Sequence, residues 1–174
     1  MRLTCLLQVF IAAAFLGATT AAWAGPQEDY RKGLNARAAN DVVGAMASFT
    51  AALDSDPGHA DAAFERGRLL LLIGEPLNAI ADFTTAIIGN PGNGQAYALR
   101  GQAKATLGDD KAAAADFDKA IDVSPGDFEV YVRRATYRLK AGQIPAAIKD
   151  LEMAQTLSTP ADAAEIGRTL DKLR

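Results

Sequence analysis

Cysteine, histidine and tryptophan are almost missing from this sequence, with one of each in 174 residues. A lone Cys5 cannot build a disulfide framework within the chain, nor a thiolate metal site. A lone His59 means that any Ser/His/Asp set would rest on that one residue. Aromatic residues are few, at 7%, while alanine is plentiful. That balance suits closely packed helices better than a sheet, which draws on β-branched and aromatic side chains. Nor is there an excess of positive charge. The net charge is −3, which offers no attraction to nucleic acid or to an anionic membrane surface. The length allows one domain, or one domain and a tail.

Charge is also missing from the N-terminus. Arg2 is the only charged side chain between Met1 and Gly25. An apolar run from Leu3 to Gly17 is followed by mostly small residues, ending in Ala22-Trp23-Ala24. Small residues at that spacing fit a signal-peptidase site with cleavage before Gly25, so residues 1–24 read as a signal peptide and the protein as periplasmic or secreted. An uncleaved membrane anchor is the alternative, because roughly 20 apolar residues can span a bilayer. The polar stretch Gly25-Pro26-Gln27-Glu28-Asp29 favours cleavage. Cys5 lies at the start of the apolar run and not after it, and so cannot be the lipidated first residue of a processed chain. Removing 24 of the 174 residues leaves 150, with no cysteine and with 17 basic against 21 acidic side chains, a net charge of −4. A domain of about 150 residues buries roughly two-thirds of its unfolded surface, enough to fold without disulfides.

What the rest of the chain has in abundance is self-similarity. Pro57, Pro91 and Pro125 stand 34 residues apart, each followed by glycine. The same step links Gly33, Gly67, Gly101 and Ala135; Ala45, Ala79, Ala113 and Ala147; Phe49, Phe83, Phe117 and Leu151; and Ala52, Ala86, Ala120 and Ala154. Asn40, Gly74, Gly108 and Gly142 form another column. The register runs from Pro26 to Thr159 without an insertion, which is the signature of a stacked repeat.

Each unit reads as two helices. In the second unit, Ala60 to Ile73 and Pro76 to Ile88 are amphipathic stretches. Gly74 between them can take a positive φ, and Pro76 opens a helix where its missing N–H does no harm. Asn90-Pro91-Gly92-Asn93 ends the unit. Asn93 and Asp127 suit the N-cap of the following helix, whereas His59 is a poor cap by residue type. Gly67 and Ala79 give two antiparallel helices room to approach, and Phe83 and Ala86 are expected to pack against the next unit. One unit cannot bury both faces, so the units must stack.

These columns resemble the tetratricopeptide repeat: a small residue in the first helix, alanine and an aromatic in the second, a further alanine, then proline in the turn. The resemblance implies an all-α solenoid of helical hairpins wound as a right-handed superhelix. Its units are residues 26–59, 60–93, 94–127 and 128–159, with a capping helix over 160–174. The first unit matches least. The aromatic present as Tyr97 and Tyr131 is Asp29 and Ala63 in the first two units, and Thr159 stands where the last unit would have proline. In the final segment Ala163, Ile166, Leu170 and Leu173 share one helical face.

No chemical site emerges. The glycine-rich stretch Gly89-Asn90-Pro91-Gly92-Asn93-Gly94 lacks the Lys-Ser/Thr ending of a phosphate loop and reads as a turn. Asp109-Asp110 opens a helix, where acids suit the positive end of the helix dipole. His59 reads as a turn residue rather than a metal ligand. The sequence therefore implies no catalytic residue, no cofactor and no metal. One charged pattern does recur, Arg66, Arg100 and Arg134 against Asp82, Asp116 and Asp150. It reads either as an Arg–Asp pair joining two helices in each of the last three units or as two independent solvated columns. The first unit has Lys32 and Ser48 there.

The resemblance also implies that the first helices line a concave face and that the protein acts as a scaffold, binding a peptide or helix of a partner protein there. The residues that would point into this groove are Tyr30, Leu34, Arg37, Phe64, Arg68, Leu71, Gln102, Thr136 and Lys140, with Leu72, Ala98, Thr106 and Val132 beside them. The face is expected to be apolar and aromatic in its N-terminal half and polar in its C-terminal half. The family's chaperone-tail clamp needs Lys and Asn where Tyr30, Leu34, Phe64 and Arg68 stand, so that activity is not implied. The other functional readings are a membrane-anchored envelope assembly factor and an enzyme with its site in the groove. Self-association is not legible in the sequence.

Overall fold

The computed structural model describes residues 25–174. The expected signal peptide lies outside them. All regular structure among the described residues is helical, in nine helices: α1 (25–38), α2 (Val42–Ser55), α3 (Ala60–Leu72), α4 (Pro76–Gly89), α5 (Gly94–Thr106), α6 (Asp110–Val123), α7 (Phe128–Lys140), α8 (Ile144–Leu157) and α9 (Pro160–Leu173). No helix among them is long and apolar enough to cross a membrane.

The hairpins close with one turn used four times. Asn40, Gly74, Gly108 and Gly142 have φ of 60°, 81°, 82° and 72°, the left-handed region in which glycine and asparagine are favoured. The residue after each donates its N–H back to a carbonyl in the last helical turn: Asp41 to Ala36, Glu75 to Leu70, Asp109 to Lys104 and Gln143 to Arg138, at 2.8–3.0 Å. This satisfies carbonyls that the helix end leaves open. The first hairpin closes as the other three do.

Helix starts are capped by side chains. Asp41, Asn93 and Asp109 accept from Gly44, Ala96 and Ala112 N–H, and Asp127 accepts from Glu129 N–H. His59, expected to be a poor cap, in fact caps α3: its Nδ1 accepts from Ala62 N–H at 3.2 Å. The ring is held for this by burial beneath Tyr30, centroids 5.1 Å apart. The Gln27 side-chain Nε2 lies 3.1 Å from His59 Nε2, on the other side of the ring.

The small residues take part in close contacts within each hairpin. A Cβ placed on Gly67 would lie 2.9 Å from the Phe83 ring, and one on Gly101 would lie 3.4 Å from Phe117. Gly33 faces Phe49 even more tightly. The phenylalanines are fully buried. They were expected to pack on the next unit, but each ring first fills the space over the glycine of its own unit. Phe83 then meets Leu99 of the following one. The aromatic column therefore seals both the hairpin and the joint. At the C-terminal end, Ile166 and Leu170 of α9 join the core of the last unit and cover what a fifth unit would otherwise cover.

The recurring charges form a ladder. Arg66 Nε and Nη2 donate to Asp82 at 2.7 and 2.8 Å, Arg100 to Asp116 at 2.9 and 2.9 Å, and Arg134 to Asp150 at 3.0 and 2.7 Å. The third nitrogen reaches back to the preceding unit, to Thr50, Thr84 and Asp118 in turn. Each arginine thus ties three helices, its own, the one it pairs with and the second helix of the unit before. The two-pronged geometry sets their register. In the first unit Lys32 pairs with Asp29 on its own helix instead.

Burial alone would push the Asp116 carboxyl up, but hydrogen bonds from Arg100 and Lys104, and their charges, outweigh it and hold the group below the ordinary aspartate range. A carboxyl lowered in the folded state contributes stability above its unfolded pKa and loses it as the pH falls through the folded one. Asp116→Asn should therefore be markedly less stable than the native protein at pH 7. The two urea midpoints should begin to approach each other as the pH falls below about 4, the ordinary aspartate value, and converge only once it has fallen through the lowered value of the native carboxyl.

Candidate functional site

The stack has an inner face because of which helices touch. Each second helix is wedged between the first helix of its own unit and that of the next: α4 between α3 and α5, α6 between α5 and α7. First helices also touch first helices, α3 with α5 and α5 with α7. Their closer spacing curves the stack and places them on the concave side.

The sequence-predicted groove residues separate on this face. Tyr30 is drawn into packing against Phe49, centroids 5.9 Å apart, and against His59. Leu34 packs on the core of the first unit, and Leu71 on the cluster around Phe83. Phe64 is half-buried, edge-on to Phe83 at 6.1 Å. Ala98 is fully buried and cannot meet a partner. Arg37 and Arg68 remain at the surface, bound to Glu65 at 2.7 and 3.4 Å, and Arg68 also lies over the Phe64 ring. They border a depression of about 280 Å³ with Leu69 and Leu72. Gln102, Thr136 and Lys140 come together with Thr106 and Val132 in a larger pocket of about 540 Å³ between α5 and α7.

Apolar lining occurs at both ends, with Val42, Leu69 and Leu72 at the N-terminal depression and a larger apolar wall in the C-terminal half, which was expected to be polar. The N-terminal aromatics are mostly consumed in packing, whereas the large pocket, in the C-terminal half, is walled by Phe128, Val132, Tyr137 and Ala105, with Phe117 beneath. Tyr137 stacks on Phe117 at 5.1 Å, and its hydroxyl donates to the Asp110 carbonyl. Arg133 crosses from α7 to α5, donating to Gln95 Oε1 at 3.2 Å and Gln102 Oε1 at 3.4 Å. Gln95 in turn donates to Asp127 at 2.7 Å. Glu129, on the exposed rim, is 3.7 Å from Arg133. Burial weakens the hold of Arg133 on its proton and the charge of Arg68 adds to this, with Glu129 and Asp127 opposing.

Sequence reasoning missed Arg133, Phe128 and Tyr137. Each is larger than, or charged unlike, its counterpart one unit earlier: Leu99, Gly94 and Ala103. That contrast with the third unit was the available signal, at three positions that the fold gathers into one pocket. What the arrangement offers is an apolar recess with cationic and hydroxyl groups along one wall. Among the described residues no group of three acids, histidines or cysteines is placed to hold a metal.

The family model for the tetratricopeptide repeat matches residues 30–92 and 73–128, more than half of the chain. The chain belongs to the tetratricopeptide-repeat family. No curated protein matches it. Among solved structures it is similar to the thermophilic tetratricopeptide-repeat protein TTC0263 of Thermus thermophilus, at 22% identity and TM-score 0.73, over 85% of this chain and 80% of that one. It is also similar to the TPR2B domain of yeast Sti1 in its pHsp70 complex, at 27% identity and TM-score 0.58, over 66% and 91%. A third match is the first tetratricopeptide domain of Spaghetti (RPAP3) bound to an HSP90 peptide, at 19% and TM-score 0.62, over 68% and 94%.

Proposed function

We propose that this tetratricopeptide-repeat protein is an exported scaffold that binds a segment of a partner protein in its concave groove, and that it carries out no chemistry of its own. The observation that carries the reading is the pocket between α5 and α7. It is apolar at its base, open along a curved face and bordered by groups that bind rather than react. Its volume falls within the roughly 300–1,000 Å³ usual for binding clefts. The yeast domain in its pHsp70 complex has the same fold, which supports a peptide-like ligand. Export rests on the apolar N-terminal run and Ala22-Trp23-Ala24. A mass for the envelope or secreted form that begins at Gly25 agrees with a cleaved signal, and a mass that includes residues 1–24 replaces it with an anchored assembly factor.

Site-specific photo-crosslinking tests the groove. A benzophenone side chain at Thr136, on the inner face, should capture a partner in the producing cell. The same probe at Lys119, exposed on α6, should not. Capture from Lys119 alone would move the site to the outer face.

A further inference from the structure

We infer that the α5–α7 pocket is built for an acidic segment in which an aromatic or leucine side chain sits between two carboxylates, a ligand class that rests on the groove reading above. Three observations support it. First, the recess is apolar at its base and open to the groove, so an apolar anchor seated there removes apolar surface from water. Second, Arg133 differs from the other inward arginines. Arg66, Arg100 and Arg134 each grip a buried carboxylate with two nitrogens. Arg133 is half-buried, its Nε and Nη1 donate to neutral amide oxygens, and its Nη2 lies 3.7 Å from Glu129 at the rim. A guanidinium without a close two-pronged carboxylate has room for an incoming one, and such charge-assisted bonds are among the stronger ones. Third, Lys140 lies on the same face of α7 two turns further on and has no ion pair among the described residues.

Seven residues of helix separate Arg133 from Lys140 by about 10 Å. A polyproline-II chain advances about 3.1 Å per residue and turns once every three residues, so carboxylates three residues apart match that span on one side of the chain, with the anchor residue between them in sequence. Arg133 and Lys140 are the two cations that line this pocket, with Glu129 and Asp110 as its two acids, whereas Arg37 and Arg68 border the separate depression beside Leu72. Phe128, Arg133 and Tyr137 stand where the preceding unit has Gly94, Leu99 and Ala103, so the recess differs from the joint before it.

The test uses the purified protein and a peptide, Gly-Ser-Glu-Phe-Ser-Glu-Ser-Gly, labelled with an uncharged BODIPY dye and blocked at both ends so that its only carboxylates are the two internal glutamates. Anisotropy should show saturable binding that weakens with salt. Replacing the peptide's phenylalanine by alanine, or both glutamates by glutamine, should each weaken it roughly tenfold or more. Arg133→Gln and Lys140→Gln should weaken it and flatten its salt dependence, Thr136→Trp should block it by filling the recess, and Arg37→Gln should leave it unchanged. Circular dichroism melts identify any variant that fails to fold. Thr136→Trp, at an exposed site, gives a second variant that does not touch the ladder. Equal binding of the glutamine peptide, or full binding by folded Arg133→Gln, overturns the inference. So does a concentration-dependent dimer abolished by Thr136→Trp, which would make a second copy the occupant. If Thr136 crosslinks a cellular partner while no acidic peptide binds, the ligand class falls and the groove reading stands; if neither occurs, both fall.

Discussion

Asp82→Ala should lower the unfolding free energy by about 3 kcal/mol, measured from urea denaturation. The carboxylate is buried and receives two hydrogen bonds from Arg66. Removing it leaves the guanidinium in a position that is only 24% exposed, with a single long bond to Thr50. Breaking one side of a buried pair typically costs about 3–5 kcal/mol, because the surviving charge is uncompensated. The lower end applies here, since Arg66 keeps some contact with water. Most of this loss is a penalty for the orphaned charge and not the net worth of the pair. It follows that Arg66→Met combined with Asp82→Leu, which fills similar space with apolar atoms, should recover most of the stability. If the double variant is as unstable as Asp82→Ala, the pair contributes attraction beyond its burial.

Gly67→Leu should destabilise the fold by roughly 1–3 kcal/mol through overpacking, against a helix propensity that by itself favours the change by up to about 1 kcal/mol. Even a Cβ at this site lies 2.9 Å from the Phe83 ring, and that ring is fully buried with nowhere to swing. The molecule contains its own control. In the fourth unit the glycine is Ala135 and the phenylalanine is Leu151, an exchange of volume across the same contact. Transplanting that solution, Gly67→Ala with Phe83→Leu, should give a protein more stable than the sum of the two single changes. The coupling is readable in a double-mutant cycle. Additive effects would mean that the ring and the glycine do not limit each other.

These two contacts were legible in the sequence to different depths. The 34-residue columns implied that Gly67 and Phe83 mattered, because agreement between units reports what every unit must do. They did not tell that the ring lies over its own glycine, since the direction of a side chain is set by where the antiparallel partner passes. The Arg–Asp columns left two readings open, and only the 16-residue step from Arg66 to Asp82, seen as adjacent helices, chose between them. His59 was read by residue type as a weak cap, but Tyr30 and Gln27 hold its ring so that a nitrogen performs the task of a carboxylate oxygen.

The groove was the least legible part, for a related reason. Tyr30, Leu34 and Leu71 have the chemistry of a binding surface, but in a solenoid the same side chains can fill the joint between units, and here they do. Repeat logic looks for sameness. Phe128, Arg133 and Tyr137 break the pattern of the preceding unit, and their size and charge are what open and line the recess that Gln102, Thr136 and Lys140 were expected to share. In a stacked repeat, shared residues specify the fold and departures specify what the surface recognises.

The central claim, that this scaffold binds its partner on the inner face of α5 and α7, is tested most directly by hydrogen–deuterium exchange on the protein with and without the partner captured through Thr136. Slowed exchange in α5 and α7, around Gln102 and Thr136 to Lys140, with the outer helices α4, α6 and α8 unchanged, is the result expected. Protection confined to α4, α6 or α8, with α5 and α7 exchanging as in the free protein, would contradict it.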